Sequence, residues 1–138
     1  MRTLSLTLLT LILAGCAAWL PRHDPAQAWV DLDAAQASQV QATDVDEQQL
    51  DDPRFFQVAP GSHRLGVRYL FEVGAHNIGR DAPALQRDCR LALEYAGFEA
   101  GERYRLAAGA TGFRPWARLY GSDGRLLAQA DERGCLRG

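Results

Sequence analysis

From Leu65 to Val73 every second residue is apolar: Leu65, Val67, Tyr69, Phe71 and Val73, with Arg64, Arg68 and Glu72 on the alternate positions. A period of two belongs to a strand with one face on a core and the other in water, and it predicts a strand over 63–73. Ala59-Pro60-Gly61-Ser62, just before it, is a turn signal, because Pro presets φ and Gly supplies the positive φ of a type II turn. Cys89, Leu91, Leu93 and Tyr95 alternate with Asp88, Arg90 and Glu94, which predicts a second long strand over 87–95. Tyr104 and Leu106 mark one over 103–106, and Ala117 and Leu119 one over 114–120. Weaker patterns place strands at 28–32 (Trp29 or Val30 inward with Leu32), 38–45, 55–58 and 125–130. Asp123-Gly124 predicts a type I′ hairpin turn. Residues 33–41 are the one stretch where a short helix fits, and 74–86 is the longest irregular segment, of the kind that is often mobile or functional. About seven short strands separated by turn signals make the fold class all-β, a small antiparallel β-sandwich over 28–138.

The first fifteen residues follow another pattern. Arg2 precedes a mainly apolar h-region of eleven residues from Thr3 to Leu13, too short to span a bilayer as a mature helix. Leu13-Ala14-Gly15-Cys16 follows, and it is similar to the lipobox of bacterial lipoproteins at each position. The resemblance implies cleavage of 1–15, lipidation of Cys16 by a diacylglyceryl thioether, and an acyl chain on the new amino terminus. Several acyl chains on one residue anchor stably, since each buried CH₂ contributes about 0.8 kcal/mol. Ala17 and Ala18 stand where an Asp would signal inner-membrane retention, so the expected location is the periplasmic face of the outer membrane. Residues 16–27, with Pro21 and Pro25 and no periodicity, read as a tether.

Removing the leader leaves 123 of 138 residues and a net charge of −3, and the chain has no Lys. That balance and the expected compartment argue against nucleic acid as a partner. With Cys16 lipidated, Cys89 and Cys135 remain as an even pair in an oxidising compartment. A disulfide between them would close a loop of about 45 residues, for roughly 4 kcal/mol in the chain-entropy treatment; two separate thiols are the competing reading.

Val45-Asp46-Glu47, then Val58-Ala59-Pro60-Gly61-Ser62-His63-Arg64-Leu65-Gly66-Val67, then Tyr95-Ala96-Gly97-Phe98, resembles the PEGA domain over 43–107. That family is a small β-sandwich of bacterial surface and periplasmic proteins without accepted catalytic activity. The resemblance therefore implies binding or scaffolding.

Catalytic chemistry finds no support in the spacing. Ser62 and His63 are adjacent, so on a strand they point to opposite faces. Tyr120-Gly121-Ser122-Asp123-Gly124 lacks the first Gly of a nucleophile elbow. His23, His63 and His76 have no partner at metal-ligand spacing. Asp44, Asp46, Glu47, Asp51 and Asp52 lack the order of a calcium loop and read as a solvated acidic turn. No metal or cofactor is expected.

Arginine placement changes the picture more. From Asp24 to Asp52 there are eight acidic residues and no basic one; from Pro53 onward there are thirteen Arg and nine acids. Strand alternation puts Arg114, Trp116, Arg118 and Tyr120 on one outward face, with Arg103 and Arg105 on a neighbouring strand. Arg and aromatic residues are enriched at binding hot spots, and the six form the candidate binding patch. In the competing reading the Arg stems cover the sheet and pair with the acidic N-terminal segment. The expected function is a non-catalytic, lipid-anchored envelope module that binds an envelope protein or an anionic cell-wall or outer-membrane polymer. The alternatives are an inhibitor of a periplasmic hydrolase, presenting 74–86, or a small envelope hydrolase.

Overall fold

A computed structural model describes residues 20–74, 79 and 83–137. The leader, Cys16 and most of the 74–86 segment, with His76, lie outside the described residues. The alternation read from the sequence becomes two stacked five-stranded sheets, a β-sandwich built almost wholly of antiparallel pairs. Ten strands form it, where about seven were expected: β1 Ala28–Ala34, β2 Gln39–Val45, β3 Gln48–Gln49, β4 Phe55–Val58, β5 Gly61–Val73, β6 Leu85–Phe98, β7 Arg103–Thr111, β8 Arg114–Tyr120, β9 Leu126–Gln129 and β10 Asp131–Arg137. The unexpected ones, β3 and β10, are two residues long and highly charged respectively, so neither has an alternation to read. No helix occupies 33–41. Two strands meet there through a turn in which Ser38 N–H donates to Ala35 O and Ala37 takes a φ of 62°.

One sheet, sheet A, has the order β4-β1-β7-β8-β9; the other, sheet B, has the order β10-β6-β5-β2-β3. The chain changes sheets often. Ala59 and Pro60 carry it from β4 in sheet A to β5 in sheet B, so the Pro-Gly signal marks a crossing between layers rather than a hairpin. A single residue, Ala130, separates β9 from β10 and closes one side of the sandwich. β1 and β7 run parallel, Trp29 beside Arg103 through Ala34 beside Ala108.

The core lies between the sheets, where the inward positions of each alternation meet. Val30, Phe56, Leu106 and Leu119 from sheet A face Leu65, Val67, Tyr69, Leu91 and Leu93 from sheet B, all at most 2% exposed. At the edge of sheet B, Cys135 of β10 sits directly opposite Cys89 of β6 with sulfurs 2.00 Å apart, at bonding distance. The two thiols are therefore not separate, and the bond clips the C-terminal strand to the sheet.

The type I′ geometry appears elsewhere than expected. In the β2–β3 hairpin the two central residues, Asp46 and Glu47, have φ of 50° and 68°, and Val45 pairs with Gln48. At 121–125 only Gly124 has positive φ, so Asp123-Gly124 is not the type I′ pair expected; Gly124 N–H donates to Gly121 O, which puts Ser122 and Asp123 at the centre of the turn. The strand before Arg114 also runs further than expected. Residues 109–111 belong to β7, and the reversal falls on Gly112, with φ 61°, and Phe113.

Candidate surface site on sheet A

β8 takes the phase that its alternation predicts: Ala117 and Leu119 are buried against the core, and Arg114, Trp116, Arg118 and Tyr120 share the outer face. Arg103 and Arg105 of β7 are on that face too, because Arg105 pairs with Tyr120 in register. The six residues of the candidate patch therefore lie on one surface. Arg114, Arg103 and Arg105 are exposed, while Trp116, Arg118 and Tyr120 are half-buried rather than largely exposed.

Their burial has a local cause. Gly109 lies opposite Trp116, and the indole ring lies across it, so that a Cβ at 109 would overlap the ring. The Arg118 guanidinium sits over the same ring, 4.7 Å from its centroid. Arg105 covers Tyr120 at the same separation. Such contacts contribute roughly 0.5–1 kcal/mol at exposed sites and fix the direction of the guanidinium plane.

The parallel pairing of β1 with β7 adds residues that the sequence did not single out. Asp31 and Asp33 of β1 stand beside the β7 arginines. Arg103 donates from Nε to Asp31 Oδ2 at 2.6 Å and from Nη2 to Asp31 Oδ1 at 2.9 Å, a two-pronged pair. Arg105 reaches Asp33 at 3.1 Å. Trp29, on the same outer face, is only 2% exposed because Phe55 stacks on it at 4.2 Å and Arg103 lies 5.8 Å away over its ring. The Trp29 indole N–H donates to Asp31 Oδ1 at 2.9 Å. Two arginines and the indole thus surround Asp31 and Asp33, and the Arg103 guanidinium holds the Asp31 carboxyl below the usual carboxylate range.

The patch therefore divides. Arg103 and Arg105 are neutralised from within, as the reading of arginines paired with the acidic N-terminal segment holds. Among the described residues Arg114 and Arg118 have no carboxylate within ion-pair distance. Between the two halves runs a shallow groove of about 260 Å³, floored by Ala107 and Ala108 and walled by Asp33, Arg105, Trp116 and Tyr120.

The other sequence-level candidates are occupied by structural contacts. His63 faces Asp46 Oδ2 at 2.6 Å and Ala59 O at 2.7 Å through its two ring nitrogens. Ser122 Oγ donates to Glu102 at 3.3 Å. Asp52 pairs with Arg54, and Asp44 accepts from Thr43 Oγ1 at 2.7 Å. Among the described residues one group of Cys, Asp, Glu and His lies within metal-ligating reach, Cys89 with Glu132 and Cys135. The bond between the two sulfurs leaves it no thiolate. No family model, curated protein or solved structure matches the chain.

Proposed function

We propose that this chain is a non-catalytic, lipid-anchored module of the bacterial envelope, held by Cys16 on the periplasmic face of the outer membrane. Its outer sheet A face receives an envelope protein or an anionic polymer. The observation that carries this reading is the half of the patch that has no acid among the described residues: Arg114 and Arg118 flank Trp116 on β8, an interior strand of the sheet, while Arg103 and Arg105 each have their own acid.

The position of that half fits an anchored binder. The tether enters the sandwich at Ala28, the start of β1, and β8 runs antiparallel to β7 and hence to β1. Arg114 therefore lies at the end of the domain away from the tether, about 20 Å beyond Tyr120 at the rise of an extended strand. A face placed there projects from the membrane toward the periplasm. The PEGA-like run at 58–67 and the lipobox agree with such a role.

In-cell photocrosslinking combined with membrane fractionation tests the whole reading. The native chain is expected in the membrane fraction with a crosslinked partner. Cys16→Ser is expected to leave that fraction. Arg114→Ala with Trp116→Ala is expected to stay membrane-bound and folded but to lose the crosslinked species. A double variant that keeps the species would remove this face from consideration.

A further inference from the structure

The outer face of sheet A uses one arrangement twice in full and once in part. In the first copy, Arg103 lies over the Trp29 ring and its fork closes on Asp31. In the second, Arg105 lies over Tyr120 and pairs with Asp33. In the third, Arg118 lies over Trp116 at the same 4.7 Å as the second, and among the described residues no acid completes it. Its neighbours in register are Ala107 on β7 and Gln129 on β9. The nearest acid of that row, Asp33, stands two strands away, about 10 Å at normal strand spacing, and is already engaged by Arg105.

We propose that the third copy is completed by a ligand: a carboxylate carried by an acidic segment of a partner protein binds the Arg118 guanidinium, with Arg114 supplying a second cation along the same strand. The inference rests on the reading of this face as the binding surface and names its chemistry. A guanidinium stacked on a ring keeps its N–H edge free in a fixed plane, which matches the two oxygens of a carboxylate. Both internal acids are aspartates, so the face already recognises that group. With Arg118 over the Trp116 ring and Gly109 beneath the indole, the aromatic offers a sugar little open surface to stack on, which favours a peptide over an acidic glycan.

The lipidated chain in detergent micelles can be titrated with hexaglutamate, hexaglutamine, an oligouronate and polyphosphate, following the arginine Nε–H resonances. Hexaglutamate is expected to shift the Arg118 signal and hexaglutamine to leave it in place. Arg118→Lys keeps the charge but loses the fork, and should weaken hexaglutamate about tenfold or more. Gln129→Glu places an internal acid beside Arg118 and should weaken it to a similar degree by filling the position. Arg133→Lys, an exposed arginine of the other sheet, should leave the affinity within twofold. Equal binding of hexaglutamine, an unmoved Arg118 signal, or an Arg118→Lys affinity within twofold of native would overturn the proposal. Tighter binding of oligouronate or polyphosphate than of hexaglutamate would overturn the assignment to an acidic peptide. If the proposal fails in these ways while Arg114→Ala with Trp116→Ala still loses its crosslink, the surface stands and only its chemistry is wrong.

Discussion

Single residues decide how the tight turns and the outer face of sheet A are held. Asp46 and Glu47 take left-handed backbone conformations that cost an L-residue about 1–2 kcal/mol each. Asp46 recovers that cost through its contacts. Its N–H donates to Arg64 O at 2.8 Å, and its carboxylate accepts from Arg64 N–H at 2.9 Å and from His63 Nδ1. Glu47 has no such return, because its side chain is 83% exposed and meets Arg64 only at 3.7 Å. Glu47→Gly is therefore expected to stabilise the domain by up to about 1 kcal/mol, the relief of strain less the entropy of glycine. Asp46→Gly relieves the same backbone and keeps the N–H bond to Arg64 O, but it cuts the two carboxylate contacts and is expected to destabilise. Urea midpoints of the two variants separate these cases, and equal stabilisation by both would show that the Asp46 contacts contribute nothing. The same scale shows why the candidate face was only half legible. The alternation of β8 put Arg114, Trp116, Arg118 and Tyr120 together, but nothing in it told which arginines keep an internal acid. That depends on Asp31 and Asp33, which lie 72 residues from Arg103 and Arg105 along the chain.

At the level of elements, strands buried on one face announced themselves and strands defined by their neighbours did not. β5 and β8 were readable because a core on one side imposes a period of two. β3 and β10 were not: β3 exists only to pair with β2, and β10 is an edge strand whose charges and bulge between Glu132 and Gly134 keep it from recruiting another chain. The parallel pairing of β1 with β7 was equally invisible, since a pairing across some seventy residues leaves no local trace. What secures β10 is therefore not its own hydrophobicity. It hydrogen-bonds to β6 on one side only, and Cys89–Cys135 is its one covalent tie, spanning 46 residues. Replacing both cysteines by Ala is expected to cost up to about 4 kcal/mol in the chain-entropy treatment, with strain and residual structure reducing it. The loss should be local first. Amide exchange in β10 should accelerate before that of β5 and β6, and uniform acceleration across sheet B would show that the strand is no separate unit.

Over the whole molecule, charge is arranged along the long axis and across the chain. Around the start of β1 lie Asp24, Glu99, Glu102 and Asp123 with Arg22 and Arg125, an acidic end, while Arg87 and Arg114, which have no ion pair among the described residues, lie at the other. In the proposed anchored orientation, an acidic end beside anionic lipid headgroups would favour a domain that stands off the membrane. The ion pairs, all but Asp88 with Arg68 joining the acidic segment before Pro53 to the basic remainder, also give stability a pH dependence. Asp31 is held below the usual carboxylate range by Arg103, Asp88 by Arg68, Asp52 by Arg54, and Asp46 by the Arg64 N–H and then His63. A carboxyl whose pKa is lower folded than unfolded binds its proton more readily in the unfolded chain. Its contribution is then complete above the unfolded value, about 3.9, and disappears as the pH falls through the folded one. Stability should therefore be flat in these groups from neutrality down to about pH 5 and fall below about pH 4. Each pair is partly exposed and screened by solvent, so each contribution should be small. Denaturant midpoints measured from pH 7 to pH 3 on the native chain, and on Asp31→Asn with Asp88→Asn, give the test. The double variant should start lower at pH 7 and lose less on acidification, so the two curves converge toward pH 3. Parallel curves would mean that these two pairs do not couple protonation to folding, and that Arg103 and Arg68 are held by packing of their stems alone.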